Sequence, residues 1–131
     1  MLIVVPVMAL YAGLSALLLL ILAVQVSRYR MRLKVGLGDG GHPELTRAIR
    51  VHGNAVEWVL PMLLLLLIAE LNHASHVFLH VCGIAFLAAR VAHAIGLSGR
   101  SGGRFMGTVV SWSVISVLAA WNIVAFVRTV I

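Results

Sequence analysis

The chain has 131 residues, of which 62% are hydrophobic and 11% charged, and its mean hydropathy is +1.08. A soluble domain of this length cannot bury so much apolar material, so the sequence is that of an integral membrane protein. The net charge of +6 does not indicate nucleic acid: Arg28, Arg30, Arg32, Lys34, Arg100 and Arg104 follow the first and third apolar stretches instead of forming one basic face.

A spanning helix needs roughly 20 residues to cross about 30 Å of hydrocarbon. The chain divides into four such segments with short connections, which predicts a single all-α, four-helix transmembrane domain. The first helix is expected over about residues 2–34. It has no basic residue before its apolar stretch and no A-x-A pattern, so it reads as a retained helix and not a signal peptide. The run GLGDGG at 36–41 breaks it, because glycine leaves the backbone unrestricted. A second helix is expected over 43–71, with Pro43 and Glu44 suited to its first turn. Asn72, His73, Ala74 and Ser75 form a turn, and a third helix is expected over 76–97. The run LSGRSGG at 97–103 is the next break, before a fourth helix over 105–128. The first and third connections carry the basic residues, which places both loops in the cytoplasm and both termini outside.

The second helix carries the informative pattern. At 100° per residue, Arg47, Arg50, Asn54, Glu57 and Pro61 fall within about 80° of one face, with Trp58 at its edge. At 1.5 Å per residue Glu57 lies about 9 Å below the membrane surface, with Arg47 and Arg50 at or above it. A submerged carboxylate is unfavourable unless it faces protein and is paired, so Glu57 marks a site. Arg90 on the third helix is expected at the same depth, paired with Glu57, with His93 one turn nearer the cytoplasm and Arg100 and Arg104 closing the mouth. Such a cationic pocket suits a small ligand with several negative charges and one ammonium, because arginine matches carboxylates and Glu57 can take the amine. Glutathione has that pattern. The competing account is a structural Glu57–Arg90 ion pair, with the other arginines anchoring helix ends at the headgroups.

Other features carry less. Glu70, His73, His76 and His80 recur at three- and four-residue intervals, but the intervening turn breaks the helix between them, so a polar belt at the membrane boundary is expected and no metal site. The single Cys82 lies in an apolar run and reads as a small hydrophobe. No Ser-His-Asp arrangement, paired catalytic carboxylates or dinucleotide motif is present.

The pattern Glu44-x-x-Arg47-x-x-Arg50-x-x-x-Asn54-x-x-Glu57, followed by Cys82-Gly83-x-x-Phe86-x-x-Ala89-Arg90, resembles the membrane-associated proteins in eicosanoid and glutathione metabolism, over nearly the whole chain. The resemblance implies a homotrimer in a bacterial inner membrane, with glutathione as co-substrate between neighbouring subunits near the cytoplasmic side. It implies ligand contacts from Arg50, Asn54 and Glu57, with Arg90 and His93 lining the site. Arg104 is similar in position to the arginine that stabilises the glutathione thiolate, and Arg100 is the alternative for that role. A neighbouring cation raises the thiolate fraction and so the nucleophile. The implied activity is a glutathione-dependent transferase or peroxidase acting on lipophilic electrophiles from the bilayer. Trp58 and Leu97 stand where a family member has tyrosines, so two hydroxyls are missing from the implied pocket. A non-catalytic protein of the same fold, binding glutathione or an anionic lipid, is the alternative.

Overall fold

The computed structural model describes residues 3–97 and 101–131. Its elements are four helices, α1 (Pro6–Leu33), α2 (Pro43–Leu71), α3 (His76–Leu97) and α4 (Ser101–Val130), with no strand among the described residues. Each contains a segment long and apolar enough to cross a membrane. α2 touches all three other helices, α3 and α4 form the most extensive pair, and among the described residues α1 and α4 do not approach each other.

The core follows from helical spacing. Val59, Met62, Leu66 and Ala69 on α2 meet Leu79, Cys82 and Phe86 on α3 and Val114 and Leu118 on α4, all buried at intervals of three or four residues within each helix. The outward faces are equally apolar, with Leu60, Ile84 and Ile123 largely exposed on the single chain. Helices apolar all round belong in lipid, where close packing and hydrogen bonds hold them together because no water is there to be expelled.

α1 starts at Pro6, later than the expected residue 2, and it is capped from another helix. Pro6 opens the helix, where a missing N–H goes unneeded. The next two N–H groups, of Val7 and Met8, donate to the two carboxylate oxygens of Glu70 at 2.9 and 2.6 Å. Glu70 is buried at the end of α2, so it closes α1 in place of a local Ser, Thr, Asp or Asn. Lys34 lies beyond the other end in the left-handed conformation, with φ of 57°, and α1 therefore stops at Leu33.

The α1–α2 connection is tied by Asp39, whose carboxylate accepts from the Thr46 hydroxyl at 2.6 Å and the Gly41 N–H at 3.0 Å. Those hydrogen bonds, the Thr46 one foremost, hold the Asp39 carboxyl below its ordinary value of 3.8.

α4 begins four residues earlier than expected, at Ser101, and runs to Val130. Gly102 and Gly103 read as breakers in the sequence, yet both are helical. A side chain on Gly103 would lie 2.8 Å from the Ala92 carbonyl oxygen, so glycine here lets α4 lie against α3.

Candidate functional site

Asn54 on α2, Arg90 and His93 on α3 and Gly107 on α4 converge in the half of the bundle nearer the α3–α4 turn. Gly107 sets the spacing, since a side chain there would fall 2.5 Å from the Ala89 carbonyl oxygen and 2.8 Å from His93 Cβ. With α4 this close, the Arg90 guanidinium spans three helices: it donates to Asn54 Oδ1 at 3.0 Å and to the Gly107 carbonyl at 2.8 Å. The same carbonyl accepts from the Ser111 hydroxyl at 2.7 Å. Phe86, one turn before Arg90, places its ring under the cation at 5.7 Å.

Arg90 is 3% exposed, and its acceptors are neutral. Its Nε is buried without a hydrogen-bond partner. The expected Glu57–Arg90 ion pair is not formed. Residue 57 lies about 60° further from the buried face of α2 than residue 54, so Asn54 meets Arg90 while Glu57 points outward, exposed on the single chain. The floor of the site is thus an amide and a carbonyl, and the carboxylate lies outside it.

The remaining residues divide by position. His93 is buried and within electrostatic reach of both Arg90 and Arg104, which places the exposed Arg104, in the first turns of α4, on the same side of the molecule. Arg50 is exposed on the outward face of α2 that also carries Glu57. Arg47 belongs elsewhere: with Gln25, Tyr29 and Glu44 it lines a hollow of about 70 Å³ between α1 and α2. Trp58 is half-buried and leans on Trp112 of α4, ring centroids 6.2 Å apart. Arg100 lies outside the described residues. Among the described residues no three His, Cys, Asp or Glu side chains gather as metal ligands.

One participant escaped the sequence reading. Gly107 supplies the carbonyl acceptor that holds Arg90, and the available signal was the spacing Gly103-x-x-x-Gly107, the pattern that lets membrane helices touch.

This arrangement coincides with a family match. The model of the MAPEG family matches residues 8–124. The chain belongs to that family. Among curated proteins it is similar to the inner membrane protein YecN of Escherichia coli K12, 49% identical over 92 residues, covering 70% of each chain. The YecN of Escherichia coli O6:H1 strain CFT073 matches to the same extent, 49% over 92 residues. Membership agrees with four membrane-length helices, and the chain is an integral membrane protein.

Proposed function

We propose that this MAPEG protein binds glutathione on the cytoplasmic side of a bacterial inner membrane and transfers it to lipophilic electrophiles. In this reading the chain is a homotrimer, and each glutathione sits where the Arg50–Glu57 face of one copy meets its neighbour. The observation that carries it is the buried Arg90 guanidinium, held by two neutral acceptors and lacking an anion from its own chain among the described residues. A cation desolvated to that degree is favourable only with a counter-charge nearby, and a ligand carboxylate supplies one. The exposed Glu57 makes the complementary demand, since a carboxylate in a membrane span needs protein or a cationic group beside it.

The roles follow from the chemistry. Arg50 and Arg90 attract the carboxylates of the tripeptide, Asn54 offers its amide, and Glu57 takes the ammonium. Arg104, exposed and within electrostatic reach of His93, is the cation that favours the thiolate over the thiol in this reading. The thiolate sulfur then bonds to an electrophilic carbon of a substrate arriving from the bilayer, and the displaced group leaves with the electron pair. Inner-membrane placement rests on the similarity to the inner membrane protein YecN, and cytoplasmic loops on the basic residues.

The test is an ultraviolet titration of the glutathione thiolate on the purified protein, repeated with Arg104→Ala. A thiolate band at neutral pH that moves to higher pH in the variant supports the reading; no such band in the intact protein removes the catalytic role. Trp58 lacks the hydroxyl of a tyrosine and packs on Trp112, which favours a second reading, a protein that holds glutathione or an anionic lipid without turnover. Thermal stabilisation by glutathione with no conjugate formed identifies that case.

A further inference from the structure

α2 is continuous from Pro43 to Leu71 with Pro61 inside it. Proline has no N–H, so the main-chain carbonyl four residues earlier, that of Glu57, loses its helical donor, and the pyrrolidine ring crowds it away from the axis. Residues 57 and 61 lie about 40° apart around the helix, so the freed carbonyl opens on the outward face that carries the Glu57 side chain. Among the described residues no side chain donates to either group. One residue therefore presents two acceptors, a carboxylate and its own carbonyl, on a single patch within a membrane span.

We propose that Pro61 sets an amine specificity for this site, by freeing the Glu57 carbonyl to act with the carboxylate as a two-acceptor clasp for a primary ammonium. This rests on the glutathione reading and adds to it a specificity-determining residue. A primary ammonium suits this pair: three N–H donors on one compact charge can serve both acceptors at once. The ammonium comes from a ligand and not from a neighbouring copy's side chain, because Lys34 is the one lysine in the sequence and it caps α1 at the opposite end of the basic loop, beyond the hydrocarbon. A ligand of the same shape without the amine leaves two acceptors unpaired in an apolar setting, which is how a site rejects an isostere strongly.

The experiment compares wild type with Pro61→Ala in lipid nanodiscs, using calorimetry with glutathione and with glutaryl-cysteinyl-glycine, the same tripeptide lacking the amino group. Alanine restores the N–H and is the best helix former, so the variant keeps its helix. Wild type is expected to prefer glutathione at least tenfold. Pro61→Ala is expected to lose about tenfold in glutathione affinity, one hydrogen bond's worth, with the analogue unchanged. A preference for glutathione that survives Pro61→Ala overturns the role of Pro61 while leaving the glutathione reading intact. Wild type that binds neither peptide overturns both. A change in oligomer mass with equal loss for the two peptides assigns the clasp to a subunit contact and also overturns it. Infrared spectra of wild type carrying carbonyl-labelled glutamate give a readout that needs no variant: a free-carbonyl band is expected to fall in frequency with glutathione and stay fixed with the analogue, and a band unmoved by glutathione counts against the clasp.

Discussion

The Arg90 guanidinium donates to Asn54 Oδ1 at 3.0 Å, joining α3 to α2 through a buried polar contact inside a membrane span. Because Arg90 is 3% exposed, its donors have no water to turn to when an acceptor is removed.

Asn54→Ala is therefore expected to destabilise the protein by about 1.5–3 kcal/mol, the range for a hydrogen bond to a charged group. Combining it with Arg90→Met, which removes the charge as well, is expected to cost less than the sum of the two single changes. Unfolding in mixed micelles, arranged as a double-mutant cycle, measures the coupling. Simple additivity would show that the contact contributes nothing.

Glu70→Ala is expected to cost about 1–2 kcal/mol, as for other lost helix caps, and to speed hydrogen exchange at the Val7 and Met8 amides selectively. Glu70→Gln keeps one carbonyl acceptor and is expected to fall between wild type and the alanine variant. Exchange rates in detergent, resolved at those two amides, decide the matter.

Two glycine-to-alanine changes are expected to have opposite signs. At Gly107 the added carbon meets the Ala89 carbonyl and His93, so overpacking is expected to cost about 1–3 kcal/mol and to loosen the Arg90–Gly107 contact. At Gly13, in the middle of α1, nothing lies within 4 Å, and alanine is expected to stabilise by about 0.5–1 kcal/mol through helix propensity alone. Midpoints of thermal unfolding for the two variants test the contrast.

Asp39 gives the loop between α1 and α2 a dependence on pH. Its carboxyl is held below the ordinary 3.8 by the Thr46 hydroxyl and the Gly41 N–H, so the folded loop favours the ionised form. The stabilisation is full above 3.8 and is lost as pH falls through the lower folded value. Protection of the Gly41 amide is expected to decline in that acid window in wild type, and the decline is expected to vanish in Asp39→Asn, whose amide keeps an oxygen acceptor but does not titrate. A decline of the same size in the variant would contradict this.

Much of the membrane character was legible in the sequence because it rests on composition and segment length, which the bilayer fixes regardless of partner. The ends of α1 and α4 were less legible, for a physical reason: both depend on contacts from distant residues. Pro6 opens α1 with help from Glu70, and Gly103 lies close against α3. At the site, the periodic stripe on α2 located the right helix face, but a 60° difference separates facing α3 from facing outward, and the spacing rule alone does not resolve it. Glu57 was thus assigned the partner that Asn54 has. Arg90 was identified by depth, whereas its acceptor at Gly107 is a main-chain atom that no residue type announces.

The Glu70 clamp bears on how the molecule is made. Val7 and its acceptor are 63 positions apart, so the cap of α1 forms only once the far end of α2 has been synthesised and packed beside it. The first two helices are thus complete only as a pair.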